Sequence, residues 1–229
     1  MEDLDTKLKG YKMPETLDKK MINNFTKLFL VTSKLRYINR FATLPTIKSQ
    51  NVMEHSGGVA MLGAMFLSIY DVLLPERTCS ELLIRLILHD FNEVGFGDLI
   101  WPIRKFKQEH LTTLIKDRLD KVIGFLSQTS GGHDCYNALL DNGISEEVNL
   151  LVEYFDRLEG LIYVREEERL GNRNLRDIML NFVNLLFEVV EKLRPLIDKK
   201  VCDFLEAMVV NIYYFSWQSN VLNLQENVK

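Results

Sequence analysis

Apolar residues recur at steps of three and four along almost the whole chain, and alternation at a period of two is nearly absent. This is the pattern of helices that bury one face, not of strands. The first run predicts a helix over about 15–38, with Met21, Phe25, Leu28, Phe29, Thr32 and Leu35 on one face. Pro45 then interrupts the helical pattern and leaves a loop over roughly 40–50. A second helix is expected over about 51–73, with Val52, Val59, Leu62, Met65, Phe66 and Ile69 inward. Thr78 and Glu81 have the spacing of a capping box, which places the start of a third helix there. That helix carries Leu82, Leu83, Leu86 and Ile87 toward His89-Asp90, and Gly95 and Gly97 then bend the chain. A helix over about 108–127 and a polar loop from Ser127 to Gly143 come next. Ser145 can cap a helix running to about Leu170, closed by Gly171-Asn172, and two last helices over about 174–193 and 198–222 are split by Pro195. The expected fold is all-α.

Composition narrows this picture. A chain of 229 residues is long enough to bury a large core without a disulfide or a structural metal. Only five prolines and twelve glycines interrupt it, with no repeat and no linker between two cores, so one domain is expected over 15–229. The first 14 residues are charged and read as a frayed extension. The 28 Lys and Arg against 32 Asp and Glu give a net charge of -4, which argues against a nucleic-acid partner. Cys79, Cys135 and Cys202 are odd in number and far apart, as expected of thiols in a reducing cytosol. The acidic start Met1-Glu2-Asp3-Leu4-Asp5 has no apolar h-region, and the uncharged stretch Ser56–Tyr70 is too short to span a bilayer. A cytoplasmic protein without a membrane partner is expected, Ser56–Tyr70 being a buried core helix.

Four histidines are available: His55, His89, His110 and His133. Two of them lie in apolar helical surroundings beside acids, as Glu54-His55 and His89-Asp90, and Glu93 comes one turn after His89. Asp98 comes past a Gly-Phe-Gly turn that can fold it back. Asp156 interrupts an apolar helix face, where a carboxylate is expensive to bury unless it is paired or bound to a metal. His55, His89, Asp90 and Asp156 together form a mixed N/O set that suits Mn, Fe, Co, Ni or Zn better than Mg or Ca. Spacing alone leaves other readings open: a lone core histidine, an Asp156 paired with an arginine, and Arg40, Glu93 and Asp98 as ordinary surface or turn residues. His110 and His133, and the cluster Arg165-Glu166-Glu167-Glu168-Arg169, read as solvated surface.

The stretches Leu35-Arg36-Tyr37-Ile38-Asn39-Arg40, Asn51-Val52-Met53-Glu54-His55-Ser56, Leu88-His89-Asp90-Phe91-Asn92-Glu93-Val94 and Gly97-Asp98-Leu99 carry a specific pattern, with Asp156 as its distal member. In this order and at these intervals the chain resembles the HD-domain phosphohydrolases, and within them the bacterial 5′-deoxynucleotidase group. The resemblance reaches loosely to about Trp217 and implies an HD-type helical bundle. It implies that His55, His89, Asp90 and Asp156 bind one divalent transition metal, and that Arg40, Glu93 and Asp98 serve catalysis or phosphate binding. The metal's task is to polarise a phosphoryl oxygen and acidify a water. Glu93 and Asp98 can move the protons, and Arg40 offers a fork of donors to a phosphate.

The implied reaction is hydrolysis of deoxyribonucleoside 5′-monophosphates to deoxynucleoside and phosphate. A deoxynucleoside triphosphate hydrolase is the nearby alternative, with Arg36, Lys48, Arg104, Lys105 and Lys107 as cations for the outer phosphates. A catalytically silent nucleotide-binding HD scaffold is the alternative from another class. Against it stands the presence of all four ligand positions and both carboxylates. The chain departs from the family pattern at Phe41, where relatives carry Trp beside the sugar, and at Phe96 and Trp101, where smaller residues are usual. These three aromatics, with Arg104, are expected to line the substrate. The apolar faces between Ile178 and Leu224 are expected to complete the core or to form a homodimer, as the family often does.

Overall fold

Asp18 opens the first described helix, its side chain accepting from the amides of Lys20 and Met21 at 2.8 and 3.1 Å. The computed structural model describes residues 18–74, 76–95, 124 and 144–214. Helix α1 spans Lys19–Thr32 and tightens into a 3₁₀ turn over Ser33–Tyr37. It is shorter than the periodicity predicts, and its apolar stripe is not covered: Phe25 and Phe29 are 61% and 63% exposed, whereas Leu35 in the turn is buried. Among the described residues helix α1 packs chiefly against the 3₁₀ turns at 33–37 and 91–95, so periodicity located its apolar face without locating a partner for it.

Helix α2 runs from Val52 to Tyr70, α3 from Glu76 to Leu88, α4 from Glu146 to Arg169, α5 from Arg176 to Leu193 and α6 from Lys199 to Tyr214. Among the described residues no strand forms, and one isolated antiparallel bridge joins Asn39 to Asn51. The all-α expectation holds. Helix α4 is the axle, packing against α2, α3, α5 and α6. That explains why its buried residues, from Val148 to Glu167, lie all around it instead of along one stripe. Phe155 meets Phe66 of α2 at a centroid distance of 5.2 Å, and Tyr154 donates its hydroxyl to the Leu205 carbonyl of α6 at 2.7 Å. These contacts fill the core where four helices converge.

Three expectations shift by a step. In α2 the buried stripe is Val52, His55, Ser56, Val59, Gly63, Phe66 and Leu67, while Met65 and Ile69 are exposed on the opposite side. A glycine supplies that stripe's centre: a Cβ at Gly63 would lie 2.0 Å from Leu86 Cδ1, so only glycine lets α2 and α3 approach this closely. Helix α3 starts at Glu76, ahead of the Thr78–Glu81 box, and Thr78 is buried inside it instead of capping it. Ile87 faces outward. Ser145 does precede α4, although its hydroxyl makes no capping bond, and Gly171 ends that region in the left-handed conformation at φ +101. Cys202 is a buried thiol. The extension at 1–14, the helix over 108–127, the loop 127–143, Cys135, His110 and His133 lie outside the described residues.

Candidate functional site

A capping box that the sequence pattern did not reveal fixes the first turn of α2. The Asn51 side chain accepts from the Glu54 amide at 2.9 Å, and Glu54 Oε2 accepts from the Asn51 amide at 3.1 Å. His55 comes directly after and is fully buried. His89 and Asp90 stand in the turn after α3, not within its last helical turn as the sequence suggested, and Glu93 lies in the 3₁₀ turn Phe91–Gly95. Asp156 projects from the middle of α4. The close approach of α2 and α3 at Gly63 sets the two histidine-bearing segments side by side.

The result is a convergence of acceptors. His55 Nε2 lies 3.1 Å from His89 Nε2, 2.9 Å from Asp156 Oδ1 and 3.5 Å from Asp90 Oδ2. His89 Nε2 lies 3.2 Å from Asp90 Oδ2 and 3.9 Å from Asp156 Oδ1. The far nitrogens of both rings are committed. His89 Nδ1 donates to the Leu86 carbonyl at 2.9 Å, and His55 Nδ1 donates to the Glu159 carboxylate. Those partners can only accept, so each neutral ring turns its Nε2 lone pair to the centre. With both rings neutral, as a metal requires, two imidazole lone pairs and two carboxylate oxygens converge with no donor among them and call for positive charge between them. The ligand-atom group His55, His89 and Asp156 meets that need for a metal ion, and Asp90 extends it. The separations are those of atoms sharing one ion at bonds of about 2.0–2.2 Å, so the donor set fits a divalent transition metal.

Protons on the imidazoles can supply the same positive charge. Burial works to raise the pKa of Asp156, but the hydrogen bond and charge of His55, with Arg40 and His89, hold this carboxyl far below the usual range. Asp90 is lowered against the same burial cost, chiefly by His89. His89 is raised, burial opposing and the charges of Asp90 and Asp156 prevailing.

Arg40 stands at this centre instead of capping a helix in solvent. Its Nη2 is 3.4 Å from Asp156 Oδ1 and its Nη1 is 3.3 Å from Glu159 Oε2, with the guanidinium 5.3 Å above the Phe41 ring. Phe41 has φ 54, an uncommon conformation for a non-glycine residue. It is braced where it sits. The Arg40 amide donates to the Gln50 carbonyl at 2.8 Å and the Val52 amide to the Ile38 carbonyl at 2.9 Å, closing the two ends of the 40–50 loop. Glu93 is buried, its amide donating to the Asp90 carbonyl at 3.0 Å. Asp98, Phe96, Trp101 and Arg104 fall outside the described residues.

Sequence reasoning found Asp156 but missed the residues that follow it on α4 at steps of three and four: Glu159, Tyr163 and Glu167. Glu159 touches His55, Arg40 and Gln50. Tyr163 stacks on Phe41 and donates to the Lys48 carbonyl. Glu167 belongs to the cluster expected to be solvated, yet it is 1% exposed. Its carboxylate accepts from the amides of Ile47 and Lys48 at 2.6 and 2.7 Å and from Asn172 Nδ2 at 2.8 Å. The available signal was the spacing: one polar residue per turn, in register with Asp156, among the apolar residues that α4 buries.

An all-helical bundle built around a His, a His-Asp pair and a distal Asp defines an HD-domain phosphohydrolase. The chain matches the model of the 5′-deoxynucleotidase YfbR-like family over residues 27–212 and belongs to that family. It is 30% identical over 149 residues to a 5′-deoxynucleotidase of Enterobacter sp. strain 638, covering 63% of this chain and 74% of that one. It is 28% identical over 153 residues to the 5′-deoxynucleotidase YfbR of Salmonella typhi, covering 65% and 76%. In fold it is similar to the HD phosphohydrolase DatZ of cyanophage S-2L, solved bound to dA and one catalytic Zn2+ ion (TM-score 0.57, 17% identity, covering 89% of this chain and 99% of that one). An HD-domain phosphohydrolase of Listeria innocua is equally similar (TM-score 0.60, 17% identity, covering 89% and 97%). The protein is a metal-dependent phosphohydrolase of the 5′-deoxynucleotidase type.

Proposed function

We propose that the protein hydrolyses deoxyribonucleoside 5′-monophosphates, releasing deoxynucleoside and phosphate, with one divalent transition metal held by His55, His89, Asp90 and Asp156. The observation that carries this reading is the convergence of two imidazole nitrogens and two carboxylate oxygens, each Nε2 lying 2.9 to 3.9 Å from both carboxylates. A cation bound there supplies Lewis acidity toward a phosphoryl oxygen and makes a water acidic near neutral pH. Arg40 keeps donors to spare beyond its two carboxylate contacts and can grip a phosphate oxygen while screening its charge. Glu93, buried beside Asp90, and Asp98 divide the proton work: one takes a proton from the attacking water, the other returns one to the leaving 5′-oxygen. Phe41 meets the sugar, with Phe96, Trp101 and Arg104 completing the substrate contacts.

Of the cations named for a triphosphate hydrolase, Lys48 is turned to Glu166 at 3.4 Å and Arg36 Nε to Met53 Sδ at 3.2 Å, while Arg104, Lys105 and Lys107 lie outside the described residues. We further propose a single domain over 15–229, a homodimer and a cytoplasmic location. The outer sides of α5 and α6 support the dimer, leaving Leu180, Val210 and Tyr214 exposed. Phosphate release across mono-, di- and triphosphates, ribo and deoxy, with Co, Mn, Zn, Ni and Fe, tests the reading. Release from deoxynucleoside monophosphates is expected to dominate. Turnover of triphosphates alone would overturn the substrate, and no release under any metal would overturn the catalysis.

A further inference from the structure

We infer that Glu159 is a positioning residue that ties a metal-ligating imidazole to the phosphate-facing guanidinium through one buried carboxylate. The inference rests on the metal-site reading above. Glu159 Oε2 accepts from His55 Nδ1 and lies 3.3 Å from Arg40 Nη1. Its other oxygen accepts from Gln50 Nε2 at 2.6 Å. All three partners therefore come from the stretch 40–55, while Glu159 itself comes from the axle of the bundle. Glu159 is not a further ligand. It holds the nitrogen of His55 that faces away from the acceptor cluster, so the ring stands between it and the site.

That placement has two consequences. A carboxylate behind a ligating histidine fixes the tautomer and orientation of the ring and makes its other nitrogen a better donor to a metal. The same carboxylate holds Arg40 in place before a substrate arrives, which lowers the entropic cost of gripping a phosphate. The neighbouring helix is shaped for it. A Cβ at Gly58 of α2 would lie 3.0 Å from Glu159 Cγ and 3.2 Å from Oε1, so glycine there leaves the carboxylate its room.

The test uses the full chain and two variants, Glu159→Gln and Gly58→Ala. Affinities for cobalt(II) and zinc(II) are measured by competition with a chromophoric chelator, a readout that needs no substrate. Glu159→Gln should weaken metal binding about 10- to 100-fold, with the melting temperature of the metal-stripped protein close to wild type. Gly58→Ala should weaken it in the same direction and by less. At saturating metal, Glu159→Gln should raise KM for a deoxynucleoside monophosphate severalfold more than it lowers kcat. Metal affinity within about twofold of wild type in Glu159→Gln would overturn the inference, as would a loss matched by collapse of the metal-stripped fold. An unchanged or lowered KM would overturn the link to Arg40. If wild type releases no phosphate from monophosphates, the substrate reading fails while the metal affinities still judge Glu159.

Discussion

Phe41 lies flat on Tyr163, the two ring centroids 5.0 Å apart and the planes 3° from parallel. The stack joins the strained end of the 40–50 loop to the central helix, and Tyr163 also donates to the Lys48 carbonyl of that loop. If Phe41 is the wall beside the sugar, Tyr163 sets its angle. A ring packed there offers no partner to a 2′-hydroxyl, which costs about 1–3 kcal/mol. The expected preference for deoxy over ribo monophosphates is therefore roughly 5- to 150-fold in kcat/KM. Phe41→Ala should lower that ratio by improving ribo turnover relative to deoxy. Tyr163→Leu should lower it less, because the stack contributes about 0.5–1.5 kcal/mol. The two ratios, measured for one base, check the arrangement; a ratio unmoved by Phe41→Ala places selectivity elsewhere.

Removing one anionic ligand should separate the metal from the fold. Asp90 is buried and its Oδ2 faces both Nε2 atoms. Asp90→Asn keeps the shape but loses the charge. The lost Lewis acidity is worth several kcal/mol, or more than about 100-fold in phosphate release. Elemental analysis should show about one transition metal per wild-type chain and markedly less in the variant, and a chelator should abolish activity in wild type. Full activity of metal-free Asp90→Asn would refute the site.

Much of this site was legible from residue types and order, and the limits have physical causes. His55, His89, Asp90 and Asp156 stand out because polar groups in apolar helices need partners, and the structure brings all four together. The helical periods of α2, α4, α5 and α6 were readable for the same reason. Periodicity does not say what covers a face, however, and so Phe25 and Phe29 lie on a predicted stripe that stays exposed. Glu159 and Glu167 were missed because a glutamate on a helix ordinarily faces water. Here Glu159 finds three partners and Glu167 two across more than a hundred residues of sequence, pairings that no local pattern encodes.

Glu93 is joined to Asp90 through a 3₁₀ turn, buried but outside the ligand cluster. It can reach a water at the centre without binding the metal itself. Glu93→Gln is nearly isosteric, so metal content and melting temperature should stay close to wild type. Loss of a positioned acid or base typically costs about 100- to 10,000-fold in rate. Single-turnover phosphate release at saturating substrate measures it. Wild-type turnover in Glu93→Gln would transfer the acid/base role to Asp98.

Glu167 should make the stability of the 40–50 loop depend on pH. Its carboxylate anchors the loop through the amides of Ile47 and Lys48, while Asn172 bridges it to the Pro45 carbonyl at 2.7 Å. Burial works to raise its pKa, but the donors of Asn172, Ile47 and Lys48 prevail and hold it below the ordinary 4.5. A carboxyl depressed in the folded state contributes stability that is fully present above its unfolded pKa and is lost as pH falls through its folded pKa. The loss should therefore begin near the ordinary value and continue below it. Glu167→Gln removes this titration and turns an amide donor toward groups that are themselves donors, so it should cost about 2 kcal/mol or more at neutral pH. Urea unfolding of wild type and variant at several pH values from 7 down to about 3 measures both effects. The gap between the two proteins should be widest at neutral pH and shrink as the solution is acidified below pH 4.5. A gap that stays constant across that range would show that charge on Glu167 does not hold the loop.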